Sequence, residues 1–347
     1  IWKRNMPQQV NHNNKTYIVY DFDCGRERGA ADLKNTIKQY ADQKDKPYII
    51  ISNAFEGEIH FKQPDTFLEQ LHSILKNYDS KKVILVMCDA NLEQNYKRWC
   101  KNHKEKPVIG HCVYFPYTLL QRTIDHYNKY RIRKKHLANK YRHYICMNGA
   151  AKPHRFRMVE KLFSNGWDAK GYITYLNRYG ANTKHLANEN FQGQELLLDF
   201  NAKTIDEQSN QEILPEQYRQ AVFDIVNESI VSDTSVFVTE KTWKPILYKS
   251  PFMILGSKGT CKHLEKFFGI KMFPDMINYS FDYVDYPKRF DRLVNDNLRR
   301  IMEMPLEDVN KWLNSSKVQS ILSYNQTKLL NTQIPNQIDY VDKQIHG

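Results

Sequence analysis

Hydrophobic and polar positions run along the chain in blocks that switch between two periods. Tyr17–Tyr20, Tyr48–Ser52 (YIIIS) and Lys82–Met87 (KVILVM) are short, almost continuous apolar runs, and Val108–Phe115 reads as a further one. Runs of this length predict strands buried on both faces. Ala30–Asp42 reads as a helix, and Thr66–Tyr78 carries Phe67, Leu71, Ile74 and Leu75 at helical spacing. Apolar strands separated by helices imply a parallel sheet covered on both sides.

The pattern restarts after a basic stretch. Tyr144–Met147, Lys170–Tyr175, Ala221–Glu228 and Pro251–Leu255 are predicted strands. His154–Asn165 is predicted as a helix with Phe156, Val159, Leu162 and Phe163 on one face and Gly166 as its C-terminal cap. Asn148–Pro153 reads as a turn, residues 179–212 as a polar, loop-rich insertion, and Glu240–Tyr248 as the start of a helix. From Lys288 onward the chain looks mostly helical. There is no internal repeat. Two α/β units joined near residues 118–143 are the economical reading, with divisions at 1–140, 141–310 and a helical segment 311–347.

A length of 347 residues exceeds one ordinary core and suits two domains. No stretch approaches the ~20 apolar residues of a membrane helix. The six cysteines form no CxxC pair and no zinc-ligand spacing. Cys88 and Cys146 fall inside strand-like runs, where a reduced, buried thiol is expected, and a cytoplasmic setting follows (that of a host cell if the chain is viral). Asn14-Lys15-Thr16 and Asn325-Gln326-Thr327 match the glycosylation sequon, a pattern short enough to recur by chance. The net charge of +12 calls for an anionic partner. Much of it is local: Arg122, Lys129, Arg131, Arg133, Lys134, Lys135, Lys140 and Arg142 face one acid, Asp125, with Tyr127, Tyr130 and Tyr141 interleaved. Such a run is either a solvated helix face or a binding surface.

The segment Phe223–Gly259 concentrates the candidate chemistry. It reads strand, polar loop, helix, strand, glycine turn. Thr239 is a natural N-cap, so the following helix is expected to offer free N–H groups to an anion, with Lys241 adding a full charge. Asn227 and Glu228 end the preceding strand on the same carboxyl edge, where open α/β sheets bind ligands. The plainer reading is that Glu240 and Lys241 decorate a helix start. No glycine fingerprint follows the first strand, which excludes a dinucleotide-dependent dehydrogenase.

Asn227-Glu228-Ser229, Phe237-Val238-Thr239-Glu240-Lys241-x-Trp243 and Pro251–Gly256 together resemble the donor-site motif of the α-1,3-fucosyltransferases. This chain has Phe237 where that family has Tyr, and Asn-Glu in place of Glu-Asn. The wording Glu-Lys-Thr-Trp-Lys-Pro is similar to glycosyltransferase-like chains of phages and large viruses. The match covers about forty residues strongly. It implies a GT-B fold: two Rossmann-like domains with parallel sheets and an interdomain cleft. It also implies a nucleotide-sugar donor, GDP-linked in preference to UDP-linked, no metal and an inverting transfer. Lys241 would then meet the donor phosphates, and Glu228 and Glu240 the ribose or sugar. Asn148 and the basic helix start, through Arg155 or Arg157, resemble the family's opening of the donor domain and would meet the pyrophosphate. The Asp-x-Asp at Asp21-Phe22-Asp23 lies outside that half, so a metal role there is disfavoured. The general base of the family sits at an N-terminal strand end, which makes Asp89 the first candidate and Glu56 the second. The acceptor is a hydroxyl on a glycan or on a hydroxymethylated DNA base. The competing class is a nucleic-acid-binding protein on a degenerate, inactive transferase fold.

Overall fold

The computed structural model of the protein describes residues 8–21, 27–40, 43, 45–53, 64–130, 140–178, 183–196 and 216–347. The chain is α/β, and its contacts divide it into two units. Unit 1 comprises residues 1–119, 234–237 and 333–347, and unit 2 comprises residues 120–233 and 238–332. The division departs from the expected boundaries at the C-terminus, where the segment 311–347 is split between the units.

Unit 1 is built on a five-stranded sheet in the order β1 (Gln8–His12), β2 (Lys15–Asp21), β3 (Tyr48–Asn53), β4 (Val83–Met87), β5 (His111–Tyr114). β2 to β5 are parallel, and β1 pairs antiparallel with β2. The hairpin turn is Asn13-Asn14, both at positive φ, which asparagine tolerates better than most residues. Polar, exposed β1 carries no apolar alternation, so the sequence pattern did not reveal it. The helices α1 (Glu27–Tyr40), α2 (Pro64–Leu75) and α3 (Leu92–His103) all pack on one face, against Ile49, Ile51, Val83 and Leu85. α3 was not anticipated either, although Leu92, Tyr96, Trp99 and Cys100 have helical spacing and are buried.

A right-handed crossover between successive strands always lands on the same side when the strand order never reverses. Sheet 1 is therefore singly wound, which corrects the expectation of Rossmann-like double winding here. Its other face, with Tyr17, Ile50, Ile84, Val86, Val113 and Phe115, is covered by the C-terminal helix Gln337–His346 through Val341 and its neighbours. Asp342 pins that helix. Its carboxylate accepts from Asn13 Nδ2 at 2.8 Å, Lys15 Nζ at 2.9 Å and the buried Tyr17 hydroxyl at 2.5 Å. These donors outweigh burial and hold the carboxyl well below its ordinary range.

Unit 2 carries a four-stranded parallel sheet in the order β7 (Gly171–Arg178), β6 (Arg142–Ala150), β8 (Ala221–Asn227), β9 (Phe252–Leu255). β6 lies inside the sheet, so the winding reverses between β6 and β8. Helix α4 (Tyr117–Tyr130) precedes β6, and α5 (Pro153–Ser164) links β6 to β7. Gly166 ends α5 at φ +65°, donating to Phe163 O at 2.9 Å, as the C-cap reading requires. α6 (Glu216–Gln220) leads into β8, and α7 (Glu240–Leu247) joins β8 to β9. The polar insertion is partly packed: Phe191 is fully buried between Phe156 and Tyr175, with ring centroids 5.0 and 5.2 Å away. Cys88 and Cys146 are buried, as expected for thiols within strand-like runs. Among the described residues no helix is long and apolar enough to cross a membrane.

Replacing Asp342 by Ala leaves the buried Tyr17 hydroxyl without its acceptor and should cost about 2 kcal/mol. Hydrogen exchange is expected to quicken first in Gln337–His346. Exchange there that matches wild type would show that Val341 and its apolar neighbours hold the helix alone.

Candidate functional site

The carboxyl edge of sheet 2, at the reversal between β6 and β8, gathers most of the expected donor-site residues. Asn148 and Asn227 end the two central strands, and Asn227 Nδ2 donates to Asn148 Oδ1 at 2.9 Å. Asn148 is fixed in turn by Thr174, to whose carbonyl its Nδ2 donates at 3.0 Å. Asn227 also donates to Cys146 Sγ, and its Oδ1 is buried with no protein donor. A winding reversal leaves a crevice above the strand ends because the helices on either side diverge.

Glu228 follows Asn227 and is fully buried. Its Oε1 accepts from Thr239 N at 3.0 Å and Thr242 Oγ1 at 2.6 Å. Its Oε2 accepts from Ser229 N at 3.0 Å and Thr239 Oγ1 at 2.6 Å. Four donors therefore saturate the carboxylate. The carboxylate lies against the start of α7, where a ligand anion was expected, and takes the Thr239 amide and the Thr239 and Thr242 hydroxyls there. The expected contact of Glu228 with ribose or sugar is corrected accordingly, and Thr239 is committed to the same bracket and to Lys241 N.

Arg155 is also turned inward. It is 2% exposed and donates to the carbonyls of Ala150 and Glu228, both at 3.2 Å. Burial lowers its pKa from the usual guanidinium value. His154 Nε2 donates to the same Glu228 carbonyl at 2.9 Å, and burial, with Arg155 beside it, drops the imidazole to about 3. Arg155 thus braces the strand end from beneath rather than meeting a pyrophosphate. Arg157 is exposed and donates to the Tyr286 hydroxyl at 3.1 Å.

Glu240 is buried and paired with Lys241. Burial works against its charged form, but Lys241, with Lys244, holds its pKa down at about 2. The pairing makes Glu240 the counter-ion of Lys241, so a hydroxyl contact from it would have to displace that cation. Phe237 is 3% exposed and belongs to unit 1, so it is a core residue and not a stacking platform in unit 2. Trp243 is likewise core, edge-on to Phe268 at 4.7 Å.

Two cations do converge above the strand ends. Lys152 Nζ donates to Ser229 O at 2.5 Å, and Lys241 Nζ donates to Ser229 Oγ at 3.2 Å. Both side chains are half-buried. Lys152 was not singled out from the sequence, although it stands immediately before Pro153, the first residue of α5. The same logic that picked out Arg155 would have found it.

Asp89, the first candidate for the base, lies in unit 1 at the end of β4 and is fully buried. Its Oδ1 accepts from Asn91 N at 2.9 Å and Val236 N at 3.0 Å, and its Oδ2 from Asn95 Nδ2 at 2.7 Å. Burial raises its pKa against these hydrogen bonds. The residue brackets Thr234–Phe237 to the β4–α3 turn, and with no exposed oxygen it is not placed to take a proton from an acceptor. Glu56, Phe22 and Asp23 lie outside the described residues, as do Arg131, Arg133, Lys134 and Lys135 of the basic stretch. Of the rest of that stretch, Arg122 and Lys129 are exposed on α4, whereas Lys140 is buried and donates to Arg219 O at 2.6 Å. The sequon at Asn325 is also accounted for: this side chain is 1% exposed and bonded to the backbone of Lys271 at both ends. No grouping of His, Cys, Asp and Glu suited to a metal occurs among the described residues. No family model, curated protein or solved structure matches the chain.

Two outcomes follow from this geometry. Glu228→Ala strands a buried amide and two buried hydroxyls and should cost about 3 kcal/mol in denaturant unfolding; a loss under 1 kcal/mol would mean the bracket is replaced by water. His154 holds a proton in the unfolded chain but not in the folded one between pH 6.5 and about 3. Its contribution to stability is therefore complete above pH 6.5 and falls on acidification, by about 1.4 kcal/mol per pH unit at the steepest. His154→Gln keeps an N–H donor and should flatten the wild-type pH profile across that window; parallel profiles would place a charged imidazole in the fold.

Proposed function

We propose that unit 2 binds a nucleotide-sugar and that the chain is a glycosyltransferase of the GT-B class. The observation that carries this reading is the convergence of Lys152 and Lys241 on Ser229, beside the Asn148–Asn227 pair at the winding reversal. Two ammonium groups meeting one hydroxyl-bearing turn suit a diphosphate, whose charge grows as the sugar leaves. Cations held by the protein serve that purpose in a transfer that needs no metal. The motif's resemblance to the α-1,3-fucosyltransferases supports a GDP-sugar over a UDP-sugar, inversion at the anomeric carbon, and an acceptor hydroxyl on a glycan or a hydroxymethylated base.

In this reading the roles shift from those implied by the motif alone. Lys241 keeps the phosphate role and shares it with Lys152. Asn227 offers its unpaired Oδ1 to a donor hydroxyl once the crevice admits one. Glu228, Arg155 and Thr239 hold the frame. The base is a carboxylate other than Asp89, and Glu56 becomes the first residue to substitute.

Thermal unfolding with GDP, UDP, dTDP and CMP tests the donor site. A nucleotide at ~100 times its dissociation constant should add about 2.7 kcal/mol to wild type. Lys152→Ala and Lys241→Ala should each lose most of the shift, measured against its own ligand-free baseline. No shift with any nucleotide would remove the donor-site reading.

A further inference from the structure

Four large hydrophobic side chains are exposed among the described residues, and three of them, Phe267, Tyr283 and Tyr324, lie in one neighbourhood of unit 2 among lysines. The helical run 260–268 carries Lys262 and Lys266 four residues apart, next to His263 and Phe267 at the same spacing. Residues four apart share a helix face. The His263 and Phe267 rings stack, with centroids 5.2 Å apart and planes 18° from parallel. Lys262 Nζ lies 5.9 Å from the centre of the Tyr283 ring. At the far end of the run Gly269, at φ +69°, turns the chain and brings Lys271 Nζ over the Tyr324 ring at 4.1 Å. A Cβ on Gly269 would sit 3.3 Å from Lys328 Cε and 3.9 Å from the Tyr324 hydroxyl, so Lys328 and Tyr324 flank the same turn. The turn is rigid because Asn325 bonds both the N–H and the carbonyl of Lys271 at 2.8 Å. Glu265 is the acid within this run; Asp275, nearby in sequence, is already paired with Lys317 at 2.5 Å.

We infer that this surface is a docking track for single-stranded nucleic acid. Alternating lysines and exposed aromatic side chains match an alternation of phosphates and unstacked bases. A duplex presents its phosphates but keeps its bases stacked, leaving the rings unused. Lys262, Lys266, Lys271 and Lys328 supply the charge, and Phe267, Tyr283 and Tyr324 the platforms. Lys262, Lys266, Lys271 and Lys328 outnumber Glu265 on this surface, which favours a polyanion there. None of these residues belongs to the donor site, so the inference stands whether or not that reading does.

The test is fluorescence anisotropy of a labelled oligothymidylate of about twenty nucleotides with the full chain across a salt series. Wild type should bind, with log affinity falling linearly in log salt. Lys271→Ala and Lys328→Ala should each reduce that slope by about 0.7. Phe267→Ala and Tyr324→Ala should weaken binding at least about fivefold with the slope unchanged. Lys152→Ala should bind as wild type does, which separates this surface from the donor site. Absence of binding at about 50 mM salt, or binding that all four substitutions leave intact, overturns the inference. So does tighter binding to a duplex of the same length, or to phosphatidylserine vesicles with the same substitutions abolishing it.

Discussion

The carboxylate of Glu228 accepts four hydrogen bonds, and the backbone of the same residue makes three more. Its N–H donates to Leu255 O at 3.0 Å, and its carbonyl receives His154 and Arg155. One residue thereby fixes the end of β8 to β9, to the start of α5 and to the start of α7. The winding reversal of sheet 2 opens at this point, and Ser229 and Thr239 take their positions from this knot. A buried carboxylate is costly unless its lone pairs are filled, and here each oxygen has two donors. Satisfying the charge and ordering the edge are one event.

Asp89 solves the same problem in unit 1. It ends β4, is buried, and takes its hydrogen bonds from Asn91, Asn95 and the strap at Val236. Asp282, in the helical turn Tyr279–Tyr283 of unit 2, is a buried acid put to similar use, accepting from the amides of Cys261 and Lys262. Strand-end acids in this protein act first as anchors for the loops that follow them. That use competes with chemistry, because a buried carboxylate held by several donors is stabilised as the anion and turned away from a substrate's proton.

Charge in the protein is divided along the same line. Inward-facing cations such as Arg155, Lys140 and Arg289 donate to backbone carbonyls, and Arg289 also pairs with Asp233 at 2.9 Å. Two groups of cations with a solvent side are Lys152 and Lys241 above the strand ends, and the lysines that interleave with Phe267, Tyr283 and Tyr324. A nucleotide and a polyanion would meet different sets, so substitutions in one leave the other in place.

By itself, the sequence determined the α/β class and the apolar strands, because continuous runs such as Tyr48–Ser52 and Lys82–Met87 admit only buried strands at that length. It also determined the start of α7 at Thr239 and the close of α5 at Gly166, where local backbone chemistry decides. Polar β1 carried no such signal, and α3 carried one in its Leu92, Tyr96, Trp99 and Cys100 spacing. Only the tertiary structure decided which face each charged residue presents. Glu228, Arg155 and Asp89 read as chemistry in one dimension because an acid or a base at a strand end is where chemistry is usually found. Whether it faces a ligand or the interior depends on donors far along the chain, such as Thr242 for Glu228 and Val236 for Asp89. The single winding of sheet 1 is of the same kind, since strand order is a property of pairing that no local pattern encodes.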